Sequence, residues 1–207
     1  MISKLLASIL VASGLLAGGS AFAAPWSWTG TLNTWGAAPV VDGDNDMKFT
    51  LGSFTLPDTT PILISEQEVG GLDFYSVKAD FGVGETVVGQ VTYNMDVISV
   101  GEVITKVQMD SDVVVGQGVI SVAKEVLDLN SGNSLLLTSS NGSHDDSSLG
   151  GASTSLQVTD TFSGTGTGVF VSATNAFTVS PIPEPTSLPL LGIGLAGLLL
   201  SRRRRAA

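Results

Sequence analysis

The segment TVVGQVTYNMDV, from Thr86 to Val97, alternates with a period of two. Val87, Gly89, Val91, Tyr93, Met95 and Val97 share one phase. Gln90, Thr92, Asn94 and Asp96 share the other, with Val88 the exception. Successive side chains of a strand point to opposite faces, so this pattern buries one face of a β-strand and wets the other. The same reading applies to Lys48–Leu56, Ile62–Ser65, Leu72–Val77, Val103–Met109, Val113–Val115 and Val119–Leu127. It applies again to Leu135–Thr138, Leu156–Phe162 and Val169–Val179. These runs are rich in β-branched and aromatic residues, and Gly, Asn, Asp or Pro separates most of them.

One stretch competes for a helix. In SVAKEVLDLN, Val122, Val126 and Leu129 recur at helical spacing, while Val119, Ser121, Ala123 and Glu125 fit a strand nearly as well. It is read as a strand. No βαβ alternation and no fixed repeat occurs, so the body over residues 24–179 is expected to be all-β, a β-sandwich of jelly-roll-like type. Thr138–Ser155, almost devoid of apolar residues, reads as a long exposed loop, and Gly164–Gly168 as a flexible turn.

The first 23 residues form an addressing segment. Lys4 precedes an apolar run from Leu5 to Leu16, and Ala21-Phe22-Ala23 followed by Ala24 offers a signal-peptidase site. Export is therefore expected, yet the chain has no cysteine. Disulfides are unavailable, and core and sheet must hold the body together. Thiol catalysis and thiolate metal sites are excluded with them.

Between Ala24 and Ile182 four lysines (Lys48, Lys78, Lys106 and Lys124) face eighteen carboxylates. So acidic a body repels phosphate backbones, which argues against nucleic acid and favours divalent cations as charged partners. The sharpest local cluster is Asp42-Gly43-Asp44-Asn45-Asp46. Carboxylates at i, i+2 and i+4 in a turn converge readily on calcium, which makes Asp42, Asp44 and Asp46 the candidate ligands of a weak calcium site. An EF-hand is excluded, because Met47 and Ser53 stand where Gly and Glu are required.

No catalytic constellation is visible. His144, the single histidine, lies beside Asp145 and Asp146 in the expected loop, where Ser143 or Ser147 would be the nucleophile of a triad. A triad needs rigid mutual geometry, so a solvated histidine is the better reading. Paired carboxylates for glycan hydrolysis lack a local signature. Trp26 and Trp28 alternate on one face near Trp35 and suit either sugar stacking or the core.

The tail PIPEPTSLPLLGIGLAGLLLSRRRRAA remains. Its apolar segment, about 187–201, is short for a membrane span: as a helix it covers about 22 Å against a hydrocarbon core of about 30 Å. Arg202, Arg203, Arg204 and Arg205 follow at once, and such a cluster stays on the cytoplasmic side. A short C-terminal transmembrane helix with the body outside is the expected topology.

Pro183-Glu184-Pro185, the apolar run and the terminal arginines together resemble the PEP-CTERM sorting signal of Gram-negative bacteria, over residues 180–207. The resemblance implies processing near the triplet by exosortase, after signal peptidase has acted, with an inner-membrane intermediate held by the C-terminal helix. It further implies display at the cell surface or in an exopolysaccharide biofilm matrix. The stretch VDGDNDMKFTLGSFTLPDTT is similar to an Asp-rich pattern near the start of such proteins, though Met47 separates Asp46 from Lys48. The expectation is a structural or adhesive matrix protein rather than an enzyme. The alternative is a carbohydrate- or calcium-binding module, and a secreted glycan hydrolase stands behind it.

Overall fold

The computed structural model describes residues 25–82, 87–114, 116, 118–165 and 167–182. The expected signal peptide 1–23, its cleavage residues Ala21, Ala23 and Ala24, the triplet Pro183–Pro185, the apolar run and Arg202–Arg205 lie outside the described residues.

Among the described residues twelve strands and one short helix succeed one another: β1 (Trp26–Thr31), α1 (Leu32–Ala37), β2 (Val40–Val41), β3 (Met47–Phe54), β4 (Pro61–Val69), β5 (Leu72–Asp80) and β6 (Gly89–Val97). They continue as β7 (Glu102–Val114), β8 (Ile120–Asp128), β9 (Ser134–Ser140), β10 (Asp145–Ser153), β11 (Ser155–Gly164) and β12 (Val169–Pro181). They form two six-stranded sheets, β1-β4-β5-β12-β7-β10 and β2-β3-β6-β11-β8-β9, and every pairing is antiparallel. The body is all-β, as expected.

The interior lies between the two sheets because strands with an apolar phase turn it inward. In β6 the buried residues are Val91, Tyr93 and Met95, as the alternation requires. Phe49, Ile64, Tyr75, Val107, Val122, Leu156, Val158 and Phe177 join them from seven further strands. Ring pairs tie the layers together: Trp35 lies 5.3 Å from Tyr93, Phe49 5.9 Å from Tyr75, and Phe162 5.6 Å from Phe170. Such tilted and edge-on pairs add about 0.5–1.5 kcal/mol each beyond the area they bury.

Local chemistry explains the joints. β4 and β5 meet at Gly70-Gly71, with φ of +65° and +79°, flanked by the Val69–Leu72 pair. Two positive φ values make the tight turn whose twist suits a hairpin, and glycine adopts them without a Cβ clash. Thr31 caps α1: its hydroxyl accepts from Thr34 N, and Thr34 Oγ1 accepts in turn from Thr31 N at 2.7 Å. The helix carries Trp35 into the core, where its indole N–H donates to the Phe49 carbonyl at 3.3 Å.

Three expectations need correction. Thr138–Ser155 is not a loop throughout: Asp145–Ser153 is β10, paired with β7 from Asp145↔Met109 to Ser153↔Ile104. Backbone bonds hold this polar edge strand, so its side chains carry little alternation. The run Val103–Met109 and the described part of Val113–Val115 belong to one strand over Glu102–Val114, and Val115 lies outside the described residues. The strand reading of Ser121–Asn130 was right, but the buried phase is Ile120, Val122, Lys124 and Val126, with a lysine facing inward.

Candidate acidic centre

The turn between β2 and β3 is organised by one carboxylate. Asp42, only 5% exposed, accepts from Asp46 N at 2.8 Å through Oδ1 and from Met47 N at 2.9 Å through Oδ2. The Tyr75 hydroxyl, arriving from β5, donates to Asp42 Oδ2 at 2.8 Å. Asn45 takes a left-handed φ of +66°, which turns the chain back into β3.

Glu66 enters this turn from β4. It occupies the apolar phase of its strand, after Ile62 and Ile64, and is 5% exposed. Its neighbours in register are Tyr75 on β5 and Trp26 on β1. One carboxylate oxygen each from Asp42, Asp44 and Glu66 lies within 4.8 Å of the other two. Asp42 and Glu66 are buried and Asp44 is exposed, so the cluster opens to solvent on one side.

The electrostatics are those of unneutralised charge. Burial, with Asp44 and Asp42 close by, raises Glu66 to about 7. Asp46 and Asp73 are each raised to about 6, chiefly by burial and then by neighbouring carboxylates. Asp42 is also raised by burial, despite its three hydrogen bonds. Among the described residues no cation pairs with any of the five. Lys48 pairs with Asp96 at 3.2 Å, and Lys106 with Asp146 at 2.5 Å.

The sequence-predicted ligands are therefore partly brought together. Asp42 and Asp44 converge, but Glu66 completes the set, and Asp46 is absent from it. Asp46 uses its backbone carbonyl to accept from Ile98 N at 2.7 Å. Glu66 lies outside the dense acidic turn that marks the cluster in the sequence, although an acid in the apolar phase of PILISEQEV is a signal. Three carboxylate oxygens with an open side suit a hard cation that takes six to eight oxygens and keeps some water.

The other candidates separate. His144 Nε2 lies 3.8 Å from Asp146 Oδ1, on the surface. Ser143 Oγ accepts from Ser140 N at 2.8 Å, and Ser147 Oγ reaches the Ser148 carbonyl at 3.4 Å, so neither hydroxyl is bonded to the imidazole. Trp35 belongs to the core, and Trp26 and Trp28, half-buried, pack against it. A cleft of about 450 Å³ opens between the β8–β9 turn and β10, lined by Asp128, Asn130, Ser131 and Leu149 among others. Among the described residues that line it there is no aromatic ring on which a sugar would stack.

One further observation concerns the end of the body. β12 lies between β5 and β7 and pairs as far as Pro181↔Glu102, and Ile182 N then donates to the Gly101 carbonyl at 2.6 Å. Starting at that same point, residues 181–205 match the family model described as PEP-CTERM protein-sorting motif. The chain carries a PEP-CTERM sorting motif. The PEP-CTERM match covers the tail alone and leaves the sandwich unassigned. No curated protein matches the chain. A solved structure titled "CBM4 structure and function" aligns at 15% identity with a TM-score of 0.24, covering 73% of this chain and 99% of that chain. The PEP-CTERM motif thus begins where the last strand of the sandwich ends.

Proposed function

We propose that this chain is an exported, non-enzymatic protein of the cell surface or extracellular matrix. Signal peptidase and exosortase remove its two addressing ends, and the acidic sandwich stays behind in an exopolysaccharide setting. The observation that carries this reading is the PEP-CTERM motif at 181–205, abutting a β12 that pairs with β7 as far as Pro181. A cut at or beyond Pro183–Pro185 leaves every described strand intact. The strand orders β5-β12-β7-β10 and β6-β11-β8-β9 within the two sheets support a jelly roll, the double-sheet arrangement of two Greek keys. Substituting Pro183–Pro185 and fractionating the cells tests the reading. The variant is expected to stay with the inner membrane while the native chain leaves it; identical distribution of the two overturns the sorting claim.

A second reading, calcium binding by the body, is supported by the convergence of Asp42, Asp44 and Glu66. Calcium in that position would tie the β2–β3 turn to β4, and its open side would let an anionic polymer complete the coordination. Calorimetry of the exported chain with calcium, against magnesium, tests it. Heat with calcium alone is expected, and none with either ion removes the reading.

A further inference from the structure

Three polar side chains occupy apolar phases in the middle of the sandwich. Lys124 follows Ile120 and Val122 on β8, Asp160 follows Leu156 and Val158 on β11, and Asn175 stands between Ala173 and Phe177 on β12. Their exposures are 0%, 3% and 5%. Burying a charge is costly unless close pairing and hydrogen bonds compensate it.

The three meet. Asp160 is the register partner of Lys124 across the β8–β11 ladder, and both face inward. From the opposite sheet, Asn175 Nδ2 donates to Asp160 Oδ2, and also to the Tyr93 hydroxyl oxygen at 3.0 Å. Lys124 Nζ donates to the Gln108 carbonyl at 3.0 Å and sits 4.3 Å from the centre of the Phe177 ring. Gln108 lies on β7 opposite Ala176, and Phe177 lies on β12 two residues from Asn175, so the amine sits against the stretch of β12 that carries Asn175. Lys124 and Asp160 form no ion pair within 4.0 Å. Asp160 Oδ1 has no hydrogen-bond partner, although it is fully buried.

We propose that Lys124 and Asn175 join in an intramolecular amide bond linking β8 to β12, with Asp160 as its proton-transfer catalyst. In the step, unprotonated Lys124 Nζ attacks Cγ of Asn175, and a new C–N bond forms. The bond from Cγ to Nδ2 breaks. Asp160, as the neutral acid, gives its proton to the departing nitrogen and recovers one from the attacking nitrogen. One ammonia leaves, and no oxidant or net charge is required.

The surroundings favour these protonation states. Burial lowers Lys124 from the ordinary lysine value, opposed by the charge of Asp160, and burial raises Asp160 against Lys124 and Asn175. A desolvated amine is the activated form of a lysine nucleophile, and a buried acid at its side is a competent proton donor. Holding both reacting groups in one rigid core replaces the entropy of an encounter. A void of about 10 Å³ bordered by Tyr93, Asp160, Phe162 and Asn175 is the size of one water-sized molecule, which suits the departing ammonia. The bond would tie one sheet to the other in an exported chain without cysteine, constraining the unfolded state as a disulfide does.

Peptide mapping of the purified, exported protein by mass spectrometry tests this directly. The expected result is a branched peptide joining Lys124 to Asn175, lighter by one ammonia than its two parts. Asp160→Asn is expected to return both residues in unlinked peptides and to slow migration of the denatured chain. Unlinked Lys124 and Asn175 in the native protein overturn the proposal without recourse to any variant. A persistent link in Asp160→Asn overturns the role given to Asp160.

Discussion

Tyr75 donates its phenolic hydroxyl to Asp42 Oδ2 at 2.8 Å, joining the turn before β3 to the middle of β5. The same Asp42 carboxylate collects two backbone N–H groups and presents an oxygen to Asp44 and Glu66. The Tyr75 bond therefore ties the turn and its acidic centre to β5. Tyr75→Phe leaves a buried acceptor short of a partner, at a cost of about 1–3 kcal/mol. Urea unfolding monitored by tryptophan fluorescence is expected to show that loss, together with weaker stabilisation by calcium.

Glu66→Gln is expected to act with opposite signs in the two conditions. In chelator it removes a buried charge from a cluster that repels it, so the thermal midpoint rises. In calcium it removes a ligand, so the gain seen with the native chain disappears. For the native chain, calcium at a hundredfold excess over Kd contributes about 2.7 kcal/mol by mass action. Thermal melts of both proteins with and without calcium decide this; the same shift in both would remove Glu66 from the site.

The pH dependence follows from raised carboxylates. Glu66 is raised from 4.5 to about 7, and Asp46 and Asp73 from 3.8 to about 6. The folded state thus binds more protons than the unfolded state between pH about 4 and about 7, and the stabilisation is lost as pH rises through that window. In chelator the midpoint should fall from pH 5 to pH 8 on account of these groups. Calcium should flatten or reverse the trend, because it replaces the protons.

How much was legible in the sequence depends on what holds each element. Strands that bury one face, such as β6 with Val91, Tyr93 and Met95, announced themselves by alternation. β10 did not: among Asp145–Ser153 Leu149 is the apolar residue that packs on the core, and the ladder to β7 is backbone chemistry. Asp42 and Asp44 were legible as a dense acidic turn, whereas Glu66 comes from a strand distant in sequence. Glu66, Lys124, Asp160 and Asn175 share one signal, a polar residue in an apolar phase, and only the pairing of strands says which of them meet.

Trp35 and His144 make a contrasting pair. Trp35→Ala empties a buried ring site against Tyr93 and should cost about 3–5 kcal/mol. His144→Ala removes an exposed side chain whose nearest charged partner is 3.8 Å away, and should change the urea midpoint little. A large loss at His144 would mean that the β9–β10 corner carries more than its contacts indicate.

The central claim is that the tail is an address removed on the way out. The measurement that tests it most directly is the C-terminal mass of the protein recovered from a host with exosortase and from the same host without it. With the enzyme, the account predicts a chain ending near Pro183–Pro185 and found outside the inner membrane. Without it, the chain retains Arg202–Arg205 and stays in the membrane fraction. The same C-terminus in the same fraction from both hosts would contradict the account.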